Sequence, residues 1–268
     1  MKSLSKPTNK KYTNFFKGFH PILLIVFLLC SISYITSAQT ATRKVVVPEW
    51  ALPGSATHKQ IPPPVDFHRT TLTENKSIGV FNGQSDVGAA LVSGSSGYNK
   101  KTKQYTITSA GYNIWYTRDE FRYLWKKMSG DVSLAADVNF PDKAGYDDRK
   151  VVLVIRQSLN DDSKEAMIGI HGGGLIHLAY RPENNAEMKE IRVDKRSALR
   201  LGIEKRGDAF AILLSMNGEP MKQYGEPLNL HLDEPFYVGI GLCSHIPDQT
   251  TTALLSNVVL ENTAGKVK

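Results

Sequence analysis

From about residue 76 onward, hydrophobic and polar positions alternate with a period of two over several short stretches. Between Asp131 and Phe140 the side chains of Val132, Leu134, Ala136, Val138 and Phe140 fall on one face, and Asp131, Ser133, Asp137 and Asn139 on the other. That is the pattern of a half-buried antiparallel strand. Leu199, Leu201 and Ile203 alternate with Arg200, Gly202, Glu204 and Arg206 in the same way. Residues 151–155 are apolar at every position, which predicts a central strand covered on both faces. Further strands are predicted over 104–108, 166–171, 175–181, 209–216, 236–243 and 253–260. The gaps between them are short and carry Gly, Asn, Asp or Pro, as in residues 216–220. Many short strands at this spacing, with no βαβ rhythm and no long internal repeat, predict an all-β sandwich or barrel. One stretch fits two patterns. Phe121, Leu124, Trp125 and Met128 have the spacing of a helix face, whereas Phe121, Tyr123 and Trp125 fit a strand face. The aromatic-rich neighbourhood favours the strand.

Upstream the pattern changes. Residues 39–75 contain Pro48, Pro53 and the triplet Pro62, Pro63 and Pro64 without sustained periodicity, and predict an extended arm rather than sheet interior. Val45, Val46, Val47, Trp50, Leu52 and Phe67 give that arm apolar groups to lay against a domain. In residues 1–38 five lysines and no acid precede an apolar run from Ile22 toward Ile35, closed by Thr36, Ser37 and Ala38. A basic, apolar, small-residue succession is the layout of a secretory signal peptide, with cleavage between Ala38 and Gln39. The run falls short of the ~18 unbroken apolar residues of a membrane span, and bulky Leu29 before Cys30 argues against lipidation. The expected destination is the periplasm or the extracellular space.

Export alters the composition. The chain of 268 residues carries 33 Lys and Arg against 26 Asp and Glu, a formal charge of +7. Loss of the five leader lysines leaves 28 bases against 26 acids, a nearly neutral body that suits an uncharged polymer better than nucleic acid. Cys30 leaves too, so the lone Cys243, inside the apolar run 237–243, is expected to be a buried packing thiol without a disulfide. About 230 residues remain, enough to fold on a hydrophobic core alone.

The motifs that suggest chemistry have simpler readings. His171-Gly172-Gly173-Gly174 resembles an oxyanion loop, but no Gly-x-Ser-x-Gly nucleophile accompanies it, and its place between two predicted strands makes it a hairpin. Glycoside hydrolysis wants two carboxylates across one bond, yet Asp131 and Asp137 are six residues apart, roughly 20 Å along a strand. Asn160-Asp161-Asp162-Ser163 offers oxygen ligands for calcium without the alternate spacing of a calcium loop, and reads as a turn. No other cofactor is implied. The histidines, His171, His177 and His245 among them, show no metal-ligand spacing and read as surface scatter. The basic stretch 192–206 is interleaved with acids and reads as a salt-bridged face.

One combination stands apart. Trp115, Tyr116, Trp125, Arg156, His171, Tyr180 and Arg181 supply the aromatic rings and planar donors that sugar recognition uses. Arg156 closes an apolar strand, so its charge should enter a cleft or pair with a carboxylate such as Asp137. The candidate ligand-binding set is therefore Trp115, Trp125, Asp137, Arg156, His171, Tyr180 and Arg181.

Several ordered blocks carry a family resemblance. Residues 119–121 with 130–134, then 154–159, then 168–172 with Tyr180 and Arg181, and finally 237–245 with 253–258, resemble a concanavalin A-like module of secreted bacterial proteins, a type also found joined to TolB-type propellers. The resemblance implies a jelly-roll sandwich of two antiparallel sheets over residues 76–262, leaving 263–268 as a tail. Its superfamily includes lectins, glucanases and non-catalytic appendages, so it does not choose among them. The chain lacks the closely spaced acidic strand motif of the glucanases and the calcium loop of legume lectins. The expectation is an exported, non-catalytic module that binds poly- or oligosaccharide or another cell-envelope component. The alternatives are a glycoside hydrolase with dispersed acids such as Asp137 and Glu165, and a structural envelope protein with buried aromatics and no cleft.

Overall fold

The computed structural model describes residues 68–267, whose regular structure is strand throughout. The predicted signal peptide and residues 39–67 of the predicted arm lie outside the described residues. Along the chain run β1 (Leu72–Glu74), β2 (Gly83–Val87), β3 (Ser95–Asn99), β4 (Gln104–Gly111), β5 (Ile114–Trp115) and β6 (Arg118–Asp119). They are followed by β7 (Phe121–Met128), β8 (Val132–Asn139), β9 (Lys150–Arg156), β10 (Glu165–His171), β11 (Leu175–Arg181) and β12 (Lys189–Arg196). The last are β13 (Arg200–Arg206), β14 (Ala209–Ser215), β15 (Lys222–Asn229), β16 (Phe236–Cys243) and β17 (Ile246–Glu261). β1 draws the end of the predicted arm onto a sheet edge, with Leu72 opposite Asp86.

Two large antiparallel sheets result, one ordered β1-β2-β7-β16-β9-β10-β11-β12 and the other β15-β14-β13-β8-β17-β4-β3. They form the expected all-β sandwich. Period-two alternation aims Leu134 and Ala136 of β8, Leu201 and Ile203 of β13, Leu153 and Ile155 of β9 and Val238 and Ile240 of β16 into one core between the sheets. The segment 118–128 is strand, and alternation puts Leu124 and Met128 in that core while Phe121, Tyr123 and Trp125 face away from it.

The eight-stranded sheet is apolar on its outer face as well. Phe121, Tyr123, Trp125, Val152, Val154, Met167, Ala179 and Cys243 make a second buried cluster there, together with Ile114 and Met188 from connecting segments. This explains why residues 151–155 are apolar at every position: both faces are covered. The cover comes from the short β5–β6 hairpin and the connections after β9 and β11. Met188 donates its amide to the Tyr116 carbonyl at 3.1 Å, and Asp119 its amide to the Asp161 carbonyl at 2.7 Å. The sheets end in irregular edges: the β11–β12 register shifts between Leu175 and His177, and β15 contains Pro227 and a shift against β14.

Candidate functional site

Charged residues bracket the outer face of strands β9 to β11. At one end Glu165 stands opposite Arg156 on one neighbour and Arg181 on the other. Asp119, lowered from the hairpin, completes the cluster: Arg181 donates to its two oxygens at 2.9 and 2.7 Å, and Arg156 at 3.1 Å. All four side chains are fully buried. Both guanidiniums also reach loop carbonyls, Arg156 to Asn160 at 2.6 Å and Arg181 to Ser163 at 2.8 Å and Ala186 at 3.1 Å. Arg156 thus pairs with Asp119 and Glu165, whereas Asp137 pairs with Arg200 at 2.7 Å on the other sheet. The sequence could not show this partner, because Asp119 reaches Arg156 only through the folded-over hairpin. The cluster fastens the roof to the sheet.

Within it, burial pushes the Glu165 carboxyl up to about 7, Asp119 adding to the shift and Arg156 and Arg181 opposing it. A carboxyl with a raised folded-state pKa stabilises the fold while protonated, and that contribution fades as pH rises from its ordinary value of 4.5 through about 7. Glu165→Gln is therefore expected to gain on the wild type as pH climbs through this window. Urea unfolding of both proteins at pH 5 and pH 8 measures it; an unchanged difference between them would refute the assignment.

At the other end of the same strands lies a cleft of about 100 Å³. Its base is a cross-strand row in which Lys150 stands between Cys243 and His171. His177, on the next strand, packs diagonally against His171 with ring centroids 5.0 Å apart. Gly169 lies opposite His177, and a Cβ there would come within 2.8 Å of His177 Nε2, so this strand needs glycine to seat the ring. Trp115, half-buried at the tip of the hairpin, stacks on His177 with centroids 5.2 Å apart. Lys150 Nζ sits 5.1 Å from the Trp115 ring centroid and donates to the Ile114 carbonyl at 2.9 Å. Asn113, Asp148, Glu190, Arg192 and His245 complete the lining.

The His171 and His177 imidazoles are neutral. Burial lowers His171 to about 2 and His177 to about 3, and the nearby Lys150 charge adds to both shifts. Glu190 Oε1 at 3.3 Å from His177 Nδ1 favours the tautomer protonated there, leaving Nε2 an acceptor. That Nε2, and Nε2 of His171, are buried without a hydrogen-bond partner among the described residues. Bases held so far below neutral pH are poor proton carriers and serviceable hydrogen-bond acceptors. Cys243, beside Lys150, is fully buried with its thiol pushed up to about 11, in keeping with a packing role. Among the described residues, no group of three or more His, Cys, Asp or Glu side chains is placed to hold a metal ion.

Of the candidate residues, Trp115 and His171 line the cleft. Trp125 lies on the same outer face under the cover, its indole donating to Ser85 at 2.9 Å. Arg156 and Arg181 belong to the ion cluster. Tyr180 packs against the core between the sheets, and Asp137 lines a different surface hollow with Arg200 and Asn257. The histidines depart from the expected surface scatter, since His171, His177 and His245 meet at one cleft. They come from two neighbouring strands and a distant connection, so no sequence spacing announces them; the glycine at 169 is the one local sign. The His171–Gly174 segment is the expected hairpin, closed by the Gly174 amide on the His171 carbonyl at 2.9 Å with Gly174 at φ +86°.

No family model matches this chain. No curated protein matches it either. Among solved structures it is similar to a functionally unknown protein from Saccharomyces cerevisiae, at 13% identity over 73% of this chain and 97% of that one, with a TM-score of 0.48. It is also similar to a carbohydrate binding module from Bacillus subtilis, at 17% identity over 63% and 92% of the two chains, with a TM-score of 0.41. A lectin II from Ulex europaeus is similar at 10% identity over 70% and 97%, with a TM-score of 0.39. Values this low transfer no function, so the cleft has to be read from its own residues.

Proposed function

We propose that the protein is an exported saccharide-binding module whose site is the Trp115–His171–His177 cleft. The observation that carries this reading is the pairing of a partly exposed indole with buried, neutral imidazole nitrogens that no group among the described residues satisfies. A sugar presents matching chemistry: C–H faces for the ring and hydroxyls for the acceptors. Asn113 and Glu190 add an amide and a carboxylate to the same lining. The export signal read in the sequence agrees with an extracellular or periplasmic polysaccharide as ligand. A cleft with a partly exposed tryptophan also favours binding over a purely structural role.

Glycan-array screening followed by calorimetry on the best hit tests the proposal. Trp115→Ala is expected to weaken that binding about tenfold, the size of a lost ring contact, with the fold intact because the indole lies at the hairpin tip. A folded wild-type sample that binds no saccharide overturns the reading. A hydrolase remains the second reading on one observation: Asp148 and Glu190 are two carboxylates in one cleft. Release of reducing ends from a bound polysaccharide, abolished by Glu190→Gln, would establish it. Asp137 and Glu165 do not serve that chemistry together, since one lies on the other sheet and the second is sealed in the ion cluster.

A further inference from the structure

We propose that the saccharide taken by this cleft is acidic, a uronic-acid residue whose carboxylate is met by the Lys150 ammonium. The inference rests on the saccharide-binding reading and deepens it.

Lys150 is only 1% exposed and lines the cleft. Its ammonium meets a carbonyl and an indole face, and among the described residues no carboxylate forms an ion pair with it. Burial lowers the Lys150 pKa, and Cys243, Asp119, Asp148 and Glu165 oppose that shift without forming an ion pair; a carboxylate brought into contact would favour the charged ammonium. The two acids of the cleft are directed elsewhere. Glu190 faces His177 Nδ1 with one oxygen and receives Arg192 Nε at 3.2 Å with the other. Asp148 is over a third exposed and lies 3.8 Å from His171 Nδ1. The buried imidazoles beside Lys150 are neutral and supply no negative charge.

Two further cations stand at the rim, beside the exposed Asp148. Arg192 of β12 stands opposite His177, is 85% exposed, and flanks the opening. Arg196 follows on the same face of β12 and donates to the Gly173 carbonyl at 2.7 Å. A chain of alternating hydroxyls and carboxylates would meet acceptors, an aromatic face, one buried cation and a cationic margin. The near-neutral total charge of the exported body conceals this local arrangement.

Calorimetry with oligomers of galacturonate, glucuronate and mannuronate, each compared with its own methyl ester, tests the inference on the unaltered protein. The acid form of one oligomer is expected to bind at least about tenfold more tightly than its ester, as a charge-assisted contact requires. That preference is expected to fall with added salt and to vanish in Lys150→Gln. Arg192→Ala, an exposed change that leaves the interior untouched, is expected to reduce it in part. Equal affinity for acid and ester overturns the acidic-sugar inference and leaves the saccharide reading standing, as does binding confined to neutral glycans. Failure of every glycan, neutral or acidic, to bind folded protein removes the saccharide reading and this inference with it.

Discussion

Asp119→Ala is expected to destabilise the protein by about 3–5 kcal/mol, the cost of leaving buried charges without their partner. Asp119 is the carboxylate to which Arg156 and Arg181 both donate hydrogen bonds, and both guanidiniums are fully buried. Without it two cations face Glu165 alone, at 3.3 and 3.9 Å. The loss is also topological. Asp119 ends the hairpin that carries Trp115, so the roof loses its fastening to β9 and β11. Urea denaturation at pH 7 reads the first effect; the second is read as increased tryptophan exposure and weakened saccharide binding in protein that remains folded. A loss under ~1 kcal/mol would mean that Glu165 and the loop carbonyls already satisfy the two arginines.

Gly239→Ala is expected to cost about 3 kcal/mol or more, at the upper end of overpacking effects. Gly239 sits in the middle of β16, between β7 and β9, with Trp125 and Val154 as its partners. An added Cβ would lie 1.9 Å from the Leu124 carbonyl oxygen and 2.9 Å from the Tyr123 ring. The ring could turn aside, but the carbonyl belongs to the pairing strand and can retreat only by prying β7 from β16. Gly97→Ala is the control: on β3 an added Cβ meets nothing within 4 Å, so its stability should stay within about 0.5 kcal/mol of wild type. Thermal unfolding of the two variants side by side is the measurement. A Gly239→Ala protein as stable as Gly97→Ala would show that the two strands yield far more easily than their backbone contact implies.

The sheets were legible because burial writes a period of two into the chain. Val132, Leu134 and Ala136 recur at every second position because one face of β8 is core, with Ser133, Ala135 and Asp137 on the other. The run 151–155 likewise disclosed a strand covered twice, though not what covers it. The edge strands β1, β3, β12 and β15 were less legible, because exposed strands bury too little to impose a pattern. The site was half legible. Trp115 and His171 were identified by residue type, but their meeting depends on a two-residue strand folding back across a sheet. Arg156 and Arg181 drew notice as charges in apolar strands, and they proved to be anchors of the roof, with Asp119 as the shared acid that residue spacing did not reveal.

A sandwich whose described regular structure is strand throughout has to guard the places where its hydrogen-bonding ladders stop. On β12 the free margin carries Lys189, Arg192, Lys195 and Arg196, largely in solvent, and a register shift disturbs its pairing. On β15 the margin holds Pro227, which has no amide to offer, and Gly225 at φ +70°, which breaks the extended line. Both are devices that discourage a foreign strand from docking, one by charge repulsion and solvation, the other by geometry. Crowded copies of the molecule therefore gain little by pairing at these margins, and fibrillar growth along them has no ready template. The cleft opens instead on the broad face of the eight-stranded sheet.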